Sequence, residues 1–186
     1  VYAVTASSCA ALPGRLSYVL GMQGPCVSID TACSSALVAS HGALRSVQLA
    51  ECNVAAASGV HMLLNPAVSF GFAAAGMISP TGRSYTFDMR ADGYARGEAC
   101  CVTVMECNGR HVTMQVAGGA VGSDGRSANL TAPNGQAQRA LLSAAMLDAG
   151  TASSSVALLE AHGTGTPLGD PIESGAFAAA VLAPRS

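Results

Sequence analysis

One cysteine of the chain stands where a short β-like run meets a long apolar helix. The run covers residues 25–30, a helix is predicted over residues 33–51, and Cys33 lies at its tip. The first turn of a helix carries unpaired N–H groups and partial positive charge, which stabilise a thiolate and an attacked carbonyl's oxyanion. Cys33 is therefore a candidate nucleophile. A buried structural cysteine in a tight turn is the alternative that this stretch alone leaves open.

A histidine stands in a glycine-rich loop near the end of the apolar run 155–163. Active sites of α/β folds gather at the ends of buried strands, so His162 is a candidate catalytic residue. Thr164 and Thr166 add hydroxyls to the same loop. The alternatives are a core histidine with a satisfied hydrogen bond, or a phosphate-binding loop, although GxGxxG and Walker A patterns are both missing. The other histidines occupy ordinary positions and are not candidates: His41, His61 and His111.

The elements around these residues alternate between strands and helices, which indicates the α/β class. Helices are predicted over residues 12–22, 33–51, 66–75, 130–150 and 170–183. Strands are predicted over residues 25–30, 52–60, 99–107, 111–123 and 155–163. The Asn108-Gly109 pair predicts a hairpin between the third and fourth of these strands. Residues 83–98 are predicted to form a polar, functional loop. Asp170 is the predicted N-cap of the last helix, with Pro171 following it.

Composition limits the classes of partner. Hydrophobic residues make up 50% of the 186 residues, and charged residues only 11%, below the roughly 25% usual for soluble domains. We therefore expect much of the surface to be covered by further chain or by a second subunit. The net charge of −2 and scattered basic residues exclude nucleic-acid binding. No apolar run approaches the ~20 residues that span a bilayer.

No metal site is predicted. The seven cysteines include no CxxC pair and no histidine at metal-finger spacing, so we expect free, mostly buried thiols in a reducing compartment. Asp88 and Asp92 could form a metal site in the polar loop. Pairing of these carboxylates with Arg90 or Arg96 is the preferred interpretation.

Two segments have sequences specific enough to suggest a family. DTACSS at residues 30–35 and EAHGTGTPLGDPIE at residues 160–173 resemble the β-ketoacyl synthase domain of type I polyketide synthases. Residues 12–25, 77–98 and 124–138 resemble further family segments in the same order. The resemblance implies a thiolase-like α/β fold of layered α-β-α-β-α architecture, usually in a homodimer. It also implies that residues 1–186 are a partial domain, truncated at both ends.

The resemblance further implies a decarboxylative Claisen condensation. Cys33 would hold the growing acyl chain as a thioester, and a malonyl-type extender on acyl-carrier protein would lose CO₂ and attack it. His162 would assist decarboxylation and stabilise the enolate oxygen, while Thr164 and Thr166 would meet the phosphopantetheine arm of the carrier. No cofactor would bind directly. Neighbouring synthase domains are further expected partners, and the expected location is the cytoplasm.

Departures from the family pattern qualify these expectations. A second active-site histidine and a lysine of the family lie beyond the position of Ser186, so we expect the chain alone to be inactive. Where the family usually has RGEGxG, this chain has RGEACC, with Ala99 and Cys101 replacing two glycines. That region lies near the substrate channel in the family, so the added side chains are expected to narrow it.

Three alternatives remain open at the level of sequence. A fatty-acid synthase condensing domain would share the Cys-His-His chemistry. A non-catalytic ketosynthase-like docking module is a second alternative, against which the intact Cys33 and His162 argue. A cysteine-dependent hydrolase or glutamine amidotransferase is a third, and no acid that would pair with His162 is evident to favour it.

Overall fold

The structure is a computed structural model that describes residues 3, 5, 8–107, 109 and 113–183. The chain divides into two compact units. The first comprises Val1–His61 and Glu98–Met114, and the second comprises Met62–Gly97 and Gln115–Ser186. The expected single partial domain over residues 1–186 stays a prediction.

Two predicted features fall partly outside these residues. Asn108 of the hairpin turn and the strand start at residues 111–112 lie outside the described residues. None of the helices in the described part is long and apolar enough to cross a membrane.

The first helix of the first unit whose bounds are described is α1, Ala11–Leu20, which ends at Gly21. Gly21 has a φ of 67°, a left-handed value that glycine adopts freely, and this confirms the predicted helix over residues 12–22. Residues 25–30 form no assigned strand, so that prediction is wrong. A β-like composition becomes a strand only where a partner strand is available for hydrogen bonding, and none of the described residues pairs with this run.

The cysteine region leads into the main helix of the first unit. A 3₁₀ turn, Ala32–Ser34, precedes helix α2, Ser35–Gln48. The predicted helix over residues 33–51 is therefore confirmed in its body and shorter at both ends. Cys33 lies in the 3₁₀ turn, just before the α-helical residues.

A two-stranded antiparallel sheet completes the first unit. Strand β1, Val54–His61, pairs with strand β2, Ala99–Glu106, along their full lengths. The predicted hairpin partner of β2, residues 111–123, is wrong, because its described part from residue 113 contains no strand. A ladder of eight cross-strand pairs outweighs the local preference that the turn signal provides.

The two faces of this sheet have different neighbours. Ala57, only 6% exposed, and Gly59 lie on the face that packs against α2. Side chains alternate between faces along a strand, so Val60 and, across the sheet, Val102 lie on the opposite face, where they are 62% and 56% exposed. This bare apolar face fits the expectation that further protein covers the surface.

Gly59 sets how closely α2 approaches the sheet. A Cβ atom at Gly59 would lie 2.8 Å from the Cβ of Ala36, three residues after Cys33. Cys101 pairs with Gly59 and therefore belongs to the same face, and Ala99 pairs with His61. The expected effect of Ala99 and Cys101 on the substrate channel stays a prediction.

We expect Gly59→Ala to push α2 away from β1 and to lower the free energy of unfolding by about 1–3 kcal/mol, as overpacking does. Urea unfolding of the purified polypeptide measures this change. Gly42→Ala is the matched control, because nothing lies within 4 Å of a Cβ at this position in α2. That control is expected to be neutral or stabilising, since alanine favours a helix interior. Equal unfolding free energies for wild type and Gly59→Ala would contradict the packing argument.

Helices dominate the second unit. Helix α3, Pro66–Ala74, begins after Asn65, whose side chain accepts a hydrogen bond from the Ala67 N–H at 2.9 Å. Helix α4, Gly135–Asp148, is capped in the same way by Asn134. The predicted helices over residues 66–75 and 130–150 are therefore confirmed, the second with a later start. Asparagine caps fix these starts because they satisfy orphan N–H groups of the first turn.

The last helix differs from its prediction at its start. Helix α5, Gly169–Phe177, continues as a π-helical turn, Ala178–Leu182, which confirms a helical region over residues 170–183. Asp170 is not the N-cap, because the helix begins at Gly169 and the carboxylate of Asp170 binds loop N–H groups instead. The predicted strand over residues 155–163 is also wrong, since these residues pair with no strand in the described part of the chain.

Candidate active site

The backbone just before Cys33 adopts an unusual conformation. Ala32 has a φ of 55°, a left-handed value that costs a non-glycine residue about 1–2 kcal/mol. The carboxylate of Asp30 accepts a hydrogen bond from the Ala32 N–H at 3.1 Å, and the Ser35 hydroxyl donates to the Ala32 carbonyl at 2.7 Å. These bonds on both sides of Ala32 hold the turn that presents Cys33. A tight turn between an extended run and a helix is also the geometry of a nucleophile elbow.

The tip of α2 is left without a side-chain cap. Ser34 is the N-cap residue, yet its hydroxyl donates to the carbonyl oxygen of Thr31 at 2.9 Å and makes no cap bond. Serine at this position normally accepts a bond from a first-turn N–H group. The N–H of Ser35 donates to the Ala32 carbonyl, whereas the Ser34 hydroxyl caps none of the N–H groups that follow it. Cys33 itself is exposed, so its thiol can be reached by a substrate.

The histidine loop is held at its main chain by a carboxylate of α5. Glu173 accepts hydrogen bonds from the N–H groups of His162 and Gly163, at 2.6 Å and 2.9 Å. On the other side of Gly163, its carbonyl accepts a bond from the Thr86 hydroxyl at 2.6 Å. Glu173 thus binds the main chain of His162 and leaves the ring exposed.

A second carboxylate of α5 joins the histidine loop to the polar loop. Asp170 is 4% exposed and accepts bonds from the N–H groups of Gly165 and Phe87, at 3.1 Å and 2.7 Å. Asp170 and Glu173 are three residues apart, so they share one face of α5. Phe87 has a left-handed φ of 58°, which the bond from its N–H to Asp170 helps to hold. The first turns of α5 therefore support both loops.

The two threonines of the histidine loop lie together. The hydroxyl oxygens of Thr164 and Thr166 are 3.0 Å apart, and Thr166 also accepts a bond from the Gly169 N–H at 3.1 Å. Thr166 lines an open cleft of about 650 Å³, together with Phe87 and Met89. The structure thus brings His162, Thr164 and Thr166 together on one loop. Cys33 belongs to the other compact unit, and its sharing of one site with them stays a prediction.

Of the two aspartates that could suggest a metal site, Asp88 is paired with an arginine. Arg90 donates from Nε to Oδ1 of Asp88 at 2.9 Å and from Nη2 to Oδ2 at 2.8 Å, as predicted. Hydrogen bonds from the Arg90 side chain and N–H lower the pKa of Asp88 to about 2. The pair therefore persists as the pH falls to about 4 and is lost only as the pH falls through about 2. No group of three metal-ligating side chains occurs in the described part of the chain.

The cysteines are free, but they are not buried as expected. Cys52 is partly exposed, and the others are exposed: Cys9, Cys26, Cys33, Cys100, Cys101 and Cys107. The prediction of mostly buried thiols is therefore wrong for this chain. Few side chains of the described residues are buried, so water reaches most of these thiols.

Four residues were missed as site residues in the sequence: three that hold the two loops and one that holds the turn before Cys33. Asp170 and Glu173 could have been found, because two carboxylates at helical spacing directly after a glycine loop can reach its N–H groups. Asp30 had a weaker signal as a turn-forming residue before the cysteine. Thr86 had none, since it lies 77 residues from its partner Gly163.

We expect Glu173→Gln to loosen the histidine loop, because an amide oxygen can replace only one of the two acceptors. Any reaction that uses the His162 ring should slow by about tenfold, as small misplacements of a reacting group do. The turnover rate of the polypeptide that contains this chain measures the effect. Glu51→Gln is the matched control, because Glu51 is an exposed glutamate of the first unit. Unchanged turnover would show that Glu173 does not position the loop.

Comparisons with known proteins identify the family of the chain. Residues 1–110 match the family described as β-ketoacyl synthase, N-terminal domain, and residues 113–185 match β-ketoacyl synthase, C-terminal domain. A phenolphthiocerol/phthiocerol polyketide synthase of Mycobacterium tuberculosis is 49% identical over 172 residues. A mycocerosic acid synthase-like polyketide synthase of Mycolicibacterium smegmatis is 42% identical over 183 residues. These alignments cover 89% and 95% of this chain and 9% of each relative.

Solved structures show the same likeness. An oxazolomycin ketosynthase domain of Streptomyces albus superposes with a TM-score of 0.91 at 35% identity, over 94% of this chain and 32% of that one. The ketosynthase from module 6 of the bacillaene synthase of Bacillus subtilis gives 0.91 at 33% identity, over 95% and 32%. The expected thiolase-like α/β fold is confirmed by these likenesses. The chain belongs to the β-ketoacyl synthase family, and its relatives are polyketide synthases.

Proposed function

We propose that this chain carries the nucleophile and the first histidine of a polyketide ketosynthase, an acyltransferase that extends an acyl chain by decarboxylative condensation. The observation that carries the proposal is the exposed Cys33 at the uncapped tip of α2. Membership of the β-ketoacyl synthase family supports the reaction class. The polyketide synthase relatives favour chain elongation in polyketide synthesis over the fatty-acid and docking-module alternatives.

The first half of the reaction is acyl transfer. The Cys33 thiolate attacks the carbonyl carbon of an acyl thioester on the phosphopantetheine arm of an acyl-carrier protein. The tetrahedral oxyanion is stabilised by N–H groups at the tip of α2, which Ser34 leaves uncapped. The carrier thiolate leaves and takes up a proton, and the acyl group becomes a thioester of Cys33.

The second half forms the carbon–carbon bond. The carboxylate of a malonyl-type extender leaves as CO₂, and the electrons of the broken bond become an enolate. His162 donates a hydrogen bond to the enolate oxygen and so stabilises the negative charge that develops there. The enolate carbon attacks the acyl group, and the Cys33 thiolate leaves. The product is a β-ketoacyl thioester on the carrier, longer by two backbone carbons.

Thr164 and Thr166 meet the phosphopantetheine arm in this proposal. Each hydroxyl can make further hydrogen bonds besides the one that joins the pair. The cleft of about 650 Å³ beside Thr166 offers room for an extended ligand. No cofactor binds the chain directly, since the arm arrives with its carrier protein.

The partners follow from the same reaction. Acyl-carrier protein supplies both substrates, and neighbouring synthase domains belong to the same assembly, as the names of the relatives suggest. The bare apolar face around Val60 and Val102 supports coverage by further chain, and the family resemblance favours a homodimer. A cytoplasmic location is supported by seven free thiols, because a reducing compartment keeps cysteines unpaired.

Intact-protein mass spectrometry tests the proposed function on the polypeptide that contains this chain. Incubation with a short acyl thioester is expected to add one acyl mass, which peptide mapping locates at Cys33. Addition of malonyl-carrier protein is then expected to remove that mass and to produce a β-ketoacyl carrier. Acylation spread over several cysteines, or release of free acid without any β-ketoacyl product, would contradict the proposal. The 186-residue chain alone is expected to give no turnover.

A further inference from the structure

We propose that Thr86 is a positioning residue for His162, and this inference rests on the proposed function. Thr86 lies in the polar loop, within the family-like segment 77–98, and nothing in the sequence marks it as a site residue. Its hydroxyl donates to the Gly163 carbonyl at 2.6 Å, directly after the histidine. Thr86 therefore acts through the main chain of the histidine loop and does not touch the reacting atoms.

Glycine at position 163 makes such an anchor necessary. Gly163 has a φ of 53°, and a glycine in this region can change its backbone conformation with little steric resistance. Glu173 holds the N–H side of Gly163, and Thr86 holds its carbonyl side. Without Thr86, the peptide unit between Gly163 and Thr164 is free to rotate, which redirects both the loop and the neighbouring imidazole.

The methyl group of Thr86 restricts the histidine loop sterically. A Cβ atom at Gly163 would lie 2.6 Å from Cγ2 of Thr86, so the methyl group occupies the space beside the glycine. The hydroxyl and the methyl group therefore contact the same residue from one side chain. The hydroxyl fixes the direction of the carbonyl, whereas the methyl group limits translation of the loop.

The segment that carries Thr86 is itself anchored. The next residue, Phe87, donates its N–H to Asp170 at 2.7 Å, and the N–H of Gly93 donates to the Gly165 carbonyl at 3.0 Å. Asp170 also accepts from the Gly165 N–H. The polar loop and the histidine loop are thus joined at several points on either side of the Thr86 contact. An anchored donor can orient its acceptor, which a mobile loop could not do.

The two halves of the reaction distinguish a positioning role of Thr86 from a general effect on folding. Acyl loading uses Cys33 and the tip of α2, whereas condensation requires a correctly directed His162. Loss of the Thr86 hydroxyl should therefore slow condensation and leave the loading rate unchanged. A residue that only stabilised the fold would lower both rates together.

Two substitutions at Thr86 test whether its hydroxyl is the group that matters. Thr86→Val keeps the shape and removes the donor, and it is expected to lower the condensation rate by about tenfold with unchanged loading of Cys33. Thr86→Ser keeps the donor and is expected to restore condensation to within about twofold of wild type. Thr103→Val, the same isosteric change in β2, is the matched control. Equal condensation by wild type and Thr86→Val, or equal slowing by both substitutions, would overturn the inference, as would a parallel fall in loading.

Hydrogen–deuterium exchange gives a readout that does not require turnover. Exchange of the peptide over residues 162–166 of the intact polypeptide is expected to rise in Thr86→Val and to match wild type in Thr86→Ser. Unchanged exchange in Thr86→Val overturns the positioning role by itself. A wild-type enzyme that shows the Thr86-dependent exchange but forms no β-ketoacyl product would contradict the proposed function alone.

Discussion

Cys33→Ala is expected to abolish acyl loading and condensation together, with a loss of at least about 1000-fold in each. The acyl group has no other nucleophile at the tip of α2, because the Ser34 and Ser35 hydroxyls both donate to carbonyl oxygens of the turn. Mass spectrometry after incubation with an acyl thioester measures loading, and product analysis after addition of malonyl-carrier protein measures condensation. Both signals should disappear in the variant.

Cys9→Ala is the matched control, because Cys9 is likewise exposed and free. It is expected to load and to condense at wild-type rates. Retention of acyl loading by Cys33→Ala would mean that another thiol is the acceptor, and Cys33 would then be a structural residue of the turn. The strained Ala32 would in that case need a different explanation.

His162→Ala is expected to separate the two halves of the reaction. Loading of Cys33 should persist, since it depends on the helix tip, whereas condensation should fall by about 100-fold to 10,000-fold. The acyl enzyme should therefore accumulate and fail to turn over. Time-resolved mass spectrometry of the acyl enzyme, together with CO₂ release from the extender, measures both quantities.

His61→Ala provides the comparison for this prediction, because it makes the same change at an exposed histidine at the end of β1. Wild-type condensation is expected there. If His162→Ala also prevented loading, the imidazole would act on Cys33 itself, as a general base would. If condensation were unchanged, the enolate would be stabilised entirely by other groups.

Local signals in the sequence predicted the structural settings of the two candidate residues. Cys33 at a helix start and His162 in a glycine loop were both identified from short-range patterns, and the structure keeps these settings. Apolar spacing also predicted the bodies of the helices, because a helix satisfies its hydrogen bonds within one segment.

The long-range pairing of strands could not be predicted from the sequence. Strand β2 pairs with a strand some 40 residues earlier, and no local pattern distinguishes that partner from the following run. The runs at residues 25–30 and 155–163 have strand-like composition but no partner among the described residues. Asp170 looked like a helix cap because of its place before Pro171, yet burial against two loop N–H groups decided its role. Tertiary contacts determined each of these outcomes.

The pairing of β1 with β2 constrains the order in which the first unit can be built. Residues 62–98 separate the two strands, and nearly all of them belong to the second unit. During synthesis α2 and β1 are made before β2, so the strand on which the helix after Cys33 packs has no partner until β2 has been added. Closing so long a loop carries an entropic cost before the ladder forms. Cys33 thus reaches its final setting only after the polar loop of the other unit has been translated.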